Sequence, residues 1–159
     1  MATQLTPAFL ANVLLYLEDA KDIPTFMTVS KNCQVASAIL KTNPACTKAL
    51  DVKRILTLFP QINTLSLVSI KQLRPLSSLP QPVTSIALDT YSREDSQTPS
   101  PFTAFITSIR TLDRSIDADT FDLTALTSLE YLRMLSDTGT YAVPAHPLKY
   151  LRVTSFNTI

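Results

Sequence analysis

Residues 126–134, LTSLEYLRM, carry a spacing that recurs along the chain and leaves few folds open to it. Leu129, Leu132 and Met134 are separated by three positions and then by two. The same template fits Ile62/Leu65/Leu67, Val83/Ile86/Leu88 and Leu148/Leu151/Val153, and it fits Ile109/Leu112 with Arg114 in the third place. The copies begin 21, 26, 20 and 19 residues apart. Alternating apolar positions predict a short strand that turns one side inward. A single such strand cannot bury that side, whereas a stack of them builds a continuous core. The chain is therefore expected to stack its strands, with another element in front of them.

Recurrence in the low twenties, with this pattern in each copy, resembles the leucine-rich repeat. That resemblance implies a short right-handed solenoid with a parallel sheet over residues 51–159, in about five irregular repeats. Pro60, Pro82 and Pro147 each stand just ahead of a repeat strand, where proline ends a helix and favours extended backbone. Asp51 reads as the N-cap of a convex-side helix using Val52, Ile55, Leu56 and Phe59. The asparagine expected three positions after the second leucine is missing: those places hold Ile70, Tyr91, Asp117, Asp137 and Phe156.

The first fifty residues read differently. Thr6 is a candidate N-cap with Pro7 at the first helical position, and Leu10, Val13, Leu14 and Leu17 follow at helical spacing. Glu18 to Asp22 break that helix. A second starts at Asp22, with Ile23, Phe26 and Met27 on one face. A third, from about Asn32 to Leu40, carries Val35, Ala36 and Ile39, and Thr42-Asn43-Pro44 ends it.

Residues 6–33 resemble the F-box, whose general shape is a Leu-Pro opening, an I-L-x-x-L helix, a K-D-L turn and a closing V-S/C-K-x-W. Thr6-Pro7 stands at the opening, and Val13-Leu14 with Tyr16-Leu17 stand for the helix. Lys21-Asp22-Ile23 matches the turn and Val29-Ser30-Lys31 the closing motif, with Cys33 in place of tryptophan. The first segment is one residue short and the turn one residue long. An F-box ahead of leucine-rich repeats is a known family architecture, and the chain looks like a divergent, protist-like member with a shortened array. The resemblance implies an α/β protein: an N-terminal three-helix F-box-like segment over residues 1–50, then the solenoid. It also implies docking of Pro7, Leu10, Val13, Leu14, Leu17, Val29 and Lys31 on a Skp1-like adaptor protein of a cullin-type ubiquitin ligase. The repeats would hold a substrate protein. In the alternative reading the helices only cap a freestanding leucine-rich-repeat binding module.

Outward positions of the strands define a concave face: Thr64, Ser66 and Val68, then Ser85, Ala87 and Asp89, then Thr111, Asp113 and Ser115. The last two copies add Tyr131, Arg133 and Leu135, then Tyr150, Arg152 and Thr154. Tyrosine and arginine are enriched at binding hot spots, which places the partner site on Tyr131, Arg133, Tyr150 and Arg152. Val153 is followed only by TSFNTI, which predicts an exposed strand edge.

Composition narrows the chemistry. One glycine in 159 residues excludes glycine-rich phosphate loops. One histidine, His146, excludes a multi-histidine metal site, and no nucleophile motif is present, so neither catalysis nor a cofactor is expected. A formal charge of +1 with dispersed Lys and Arg argues against nucleic acid, and no apolar run is long enough to span a membrane. Cys33 and Cys46 lack metal spacing and fit a reducing cytoplasmic or nuclear setting. Residues 92–101, SREDSQTPSP, read as an exposed loop with Thr98-Pro99 and Ser100-Pro101 open to phosphorylation. Asp113, Asp117, Asp119 and Asp122 lack the glycine and glutamate of a calcium loop and read as solvated turn carboxylates.

Overall fold

Three side-chain caps start the helices where the sequence places oxygen-bearing residues. Thr6 Oγ1 accepts from the Phe9 N–H at 3.5 Å, Ser30 Oγ from Cys33 at 3.2 Å, and Asp51 Oδ1 from Arg54 at 3.0 Å. Each satisfies a backbone donor that the first helical turn leaves without a partner. The resulting helices are α1 (Pro7–Leu15), α3 (Lys31–Ile39) and α4 (Val52–Leu58); α2 (Asp22–Val29) lies between the first two without a side-chain cap. The computed structural model describes residues 5–91, 105, 107–115, 120–124, 126–135, 140–142 and 144–154. Within them the chain is mixed α/β, with four α-helices and a five-stranded parallel sheet.

Residues 1–66 with 81–83 form one compact unit, and residues 67–80 with 84–159 form a second. In the first, α1 and α2 both pack on α3. Leu10, Ala11, Leu14, Ile23, Cys33, Ala36 and Leu40 are buried there. The expected face of α3 is rotated: Cys33, Ala36 and Ser37 point inward, while Val35 and Ile39 are exposed. Small residues at 36 and 37 let neighbouring backbones approach closely, and that packing outweighs the larger apolar area of Val35 and Ile39.

Strand β1 (Thr64–Ser69) begins in this unit, and residues 41–43 cover its edge. The Asn63 and Thr64 N–H groups both donate to the Lys41 carbonyl at 3.0 Å, and Thr42 bridges Thr64 in parallel. Asn43, 3% exposed, donates through Nδ2 to the Ser66 carbonyl (2.9 Å) and to Thr47 Oγ1 (2.9 Å), and accepts the Ser66 N–H through Oδ1 (2.7 Å). The asparagine usual three positions after the second leucine of a repeat is missing from the sequence; Asn43 instead bridges a turn and a strand ahead of the first copy. Covering an edge in this way removes open donors and acceptors that would otherwise pair with another chain.

In the second unit, β2 (Ser85–Tyr91), β3 (Ile109–Ser115), β5 (Tyr131–Leu135) and β7 (Tyr150–Thr154) continue the sheet in the order β1-β2-β3-β5-β7. Leu88 faces Leu112, Leu112 faces Leu132 and Leu132 faces Leu151, so the strands return 24, 20 and 19 residues on. Ile86, Leu88, Ile109, Leu112, Leu129 and Leu132 are buried, as their spacing predicts. Between β2 and β3 the register skips Arg110, a bulge that accommodates the gap of three in the apolar template. At the β7 edge Leu151 is 54% exposed. Ser85, expected on the surface, is buried.

A 3-10 turn, Ile70–Leu73, follows β1, closed by Ser69 and by Gln72, whose Oε1 accepts the Val68 and Ser69 N–H groups. Two three-residue strands, β4 (Thr120–Asp122) and β6 (Thr140–Ala142), pair in parallel between the strands of the main sheet. Threonine at their first positions and aromatic residues at their centres favour extended backbone over helix. The side chains of Arg114, Ser115, Leu135, Val153 and Thr154, the loop 92–101, and Asp117, Asp119 and Asp122 lie outside the described side chains.

Candidate functional site

Two surfaces, one in each unit, gather the nominated residues. On the helical unit, α1 has two apolar stripes. Leu10 and Leu14 are buried, with Leu14 fully so, and Phe9, Val13 and Tyr16 at i, i+4 and i+7 are exposed, Tyr16 by 86%. Pro7 and Leu17 are half-buried. Val29, at the end of α2, is 72% exposed and Lys31 is exposed. Leu10, Val29 and Lys31 meet Leu5 and Cys33 around a cavity of ≈ 240 Å³. Asn32 Nδ2 donates to the Leu5 carbonyl at 2.9 Å and holds the segment before α1 beside this turn. The nominated residues thus separate: Val13, Val29 and Lys31 are accessible, while Leu10 and Leu14 build the core. Leucines were chosen for their spacing, and helical spacing finds the buried stripe first. Phe9 and Tyr16, on the outer stripe, were passed over.

On the sheet, Tyr131 and Tyr150 are register partners on β5 and β7, with ring centroids 6.4 Å apart at 33°. Each is a little under half exposed. Arg133 and Arg152 are the next pair outward on the same strands. Arg133 Nη1 donates to Asp113 Oδ1 at 3.3 Å, and its Nε is enclosed without a partner. Arg152 is exposed, with no ion pair among the described residues. All four nominated residues therefore share one end of one face.

A second charged row was not foreseen. Glu130 accepts from Lys149 Nζ at 2.9 Å and from Arg110 Nη1 at 3.3 Å. The backbone follows the same path: the Glu130 N–H donates to the Arg110 carbonyl, and the Lys149 and Tyr150 N–H groups donate to the Glu130 carbonyl. The Lys149 hydrogen bond holds the Glu130 carboxyl below its usual range, with partial burial working against it. The same contact raises Lys149. Charges alternating at repeat spacing, at 110, 130 and 149, were the available signal.

The histidine and the two cysteines lie apart from these surfaces or at their margin. His146 Nε2 donates to the Leu129 carbonyl at 2.7 Å, which ties the turn before β7 to the turn before β5. Cys33 is buried and accepts from Ser30 Oγ at 3.3 Å; Cys46 is half-buried, and both thiols are free. Among the described residues no group of three potential metal ligands is assembled. No described helix is long and apolar enough to cross a membrane. Comparison with known proteins finds no matching family model, no matching curated protein and no matching solved structure.

Proposed function

We propose that the chain is a non-enzymatic interaction adaptor whose F-box-like helices dock on a Skp1-like protein of a cullin-type ubiquitin ligase. Its leucine-rich-repeat-like sheet then holds a substrate protein. The observation that supports docking is the outer stripe of α1. A helical cap keeps a polar outer face, yet here Phe9, Val13 and Tyr16 stand outward, opposite the buried Leu10 and Leu14. Val29 adds to this exposure at the end of α2, and Val35 and Ile39 on α3. An apolar stripe along the outer side of a helix supports docking over a solvated face. Free thiols suit the reducing cytosol or nucleus where such a ligase works.

The test is co-purification with Skp1 from the same source, beside a Phe9→Asp/Tyr16→Asp double variant. Retention of the native chain and loss of the variant, with unchanged circular dichroism, is the expected result. A folded native chain that ignores Skp1 at micromolar concentration would leave the helices as the cap of a freestanding binding module.

A further inference from the structure

Charge on the sheet face gives the chemistry of its partner, and the inference rests on reading that face as the substrate-binding side. Among the described side chains on and just before β3, β5 and β7, four cations, Arg110, Arg133, Lys149 and Arg152, stand with two carboxylates, Asp113 and Glu130. Glu130 is shared by Arg110 and Lys149, and Asp113 is taken by Arg133. Arg152 is left over. It also faces Arg133 directly in the register of β5 and β7. Like charges opposite one another on paired strands repel; Asp113 offsets the charge of Arg133, and Arg152 keeps its own without an ion pair among the described residues.

One level below, the chain solves the same problem internally: a carboxylate sits between two cations, Arg110–Glu130–Lys149. One level above, Asp113 takes Arg133, and Arg152 on β7 is exposed without an ion pair among the described residues. A carboxylate arriving at Arg152 would give it the partner that Asp113 gives Arg133. A guanidinium presents five donors in a planar fork suited to that group. The two half-exposed tyrosine rings beside it offer amphipathic area for an apolar side chain.

We propose that this end of the sheet binds an acidic segment of a partner protein, its carboxylate held by Arg152 beside Arg133 and a neighbouring apolar side chain lying on Tyr131 and Tyr150.

The full chain is titrated with two capped, fluorescent peptides of about a dozen residues, a length that spans such a surface. One flanks two leucines with glutamates, and the other replaces every glutamate with lysine. The glutamate peptide binds, weakens with salt, and is lost by about tenfold in Arg152→Glu and in Tyr150→Ala. Arg152→Glu also turns the preference toward the lysine peptide, which Tyr150→Ala does not. Equal affinity for the two peptides, or none for either at millimolar concentration, overturns the proposal. So does a single-stranded oligonucleotide that binds more tightly than the glutamate peptide, which reassigns the face to phosphates and bases. Skp1 co-purification is scored on the same Arg152→Glu protein. A chain that keeps Skp1 but ignores the glutamate peptide loses this inference alone; one that binds the peptide but not Skp1 loses only the adaptor reading.

Discussion

Asn43 holds both backbone groups of Ser66, donating to its carbonyl at 2.9 Å and accepting its N–H at 2.7 Å. A third hydrogen bond, to Thr47 Oγ1, uses the other amide proton, and Thr47 in turn donates to the Pro44 carbonyl at 2.7 Å. No donor of this buried amide is left over, which is the condition under which a buried polar cluster stabilises a fold. Asn43→Ala leaves the strand groups of Ser66 without these partners, and the expected loss is about 2–4 kcal/mol. In urea the midpoint falls and the slope stays constant. Asn43→Asp separates geometry from charge. A protonated carboxyl reproduces one donor and one acceptor, whereas the ionised form opposes the Ser66 carbonyl. Burial raises that carboxyl in the folded state, so the variant's stability is greatest at low pH and is lost as pH rises through the carboxylate range. A variant that weakens on acidification relative to the native chain would contradict this geometry.

The two stripes of α1 make opposite predictions. Leu14 is fully buried, and Leu14→Ala is expected to cost about 2–5 kcal/mol through lost contacts and a residual cavity. Tyr16, 86% exposed, contributes little to folding, and Tyr16→Ser is expected within about 0.5 kcal/mol of the native chain. Chemical denaturation of the two variants checks the partition. Equal losses would mean that the outer stripe is itself core.

Much of this local structure was legible because its causes are local. Thr6 and Asp51 cap helices through a side-chain oxygen three residues before the amide it serves, a distance that sequence displays directly. Leu65, Leu67, Leu88, Leu112 and Leu132 are buried because alternation fixes which side of a strand faces inward. The misses depend on distant partners. Asn43 reads only as a helix terminator until Ser66, 23 residues on, is brought to it. The rotation of α3 follows from how closely Ala36 and Ser37 approach other helices, which the apolar count of α3 does not contain. On the sheet, Tyr131, Arg133, Tyr150 and Arg152 were found by repeat spacing, and Glu130 was missed because it precedes its strand. On the helices, spacing located the inner leucines and overlooked Phe9 and Tyr16.

The two thiols should differ in reactivity. Cys33 is 3% exposed and Cys46 is half-buried, so Cys46 is modified first by a thiol reagent on the native chain, and Cys33 only through opening of the helices. Burial raises the Cys46 thiol most, and the Asp19 and Asp22 carboxylates add to it against an opposing backbone hydrogen bond. The Cys46 rate therefore climbs with pH to a half-point above that of a free thiol. Measuring Cys33→Ser isolates this titration. Faster modification of Cys33 than of Cys46 would show that the α1–α3 packing opens readily.

Glu130 gives the sheet a pH dependence with a defined sign. Its carboxyl lies below the usual range, chiefly because Lys149 donates to it, so the folded state favours the ionised form. The contribution is complete above the ordinary glutamate value and disappears as pH falls through the lower, folded one. Lys149 is raised by the same contact, so its share is complete below the ordinary lysine value and is lost as pH rises through the higher, folded one. Both groups face solvent, and salt weakens the pair. The Tyr150 N–H donates to the Glu130 carbonyl, so its hydrogen exchange reports how firmly β7 is held. Glu130→Gln speeds that exchange at neutral pH, and the difference from the native chain shrinks on acidification and in high salt. A difference that persists unchanged below the folded titration would assign it to the changed hydrogen bonding of the amide rather than to the lost charge, and the row Arg110–Glu130–Lys149 would then not be what fastens β7.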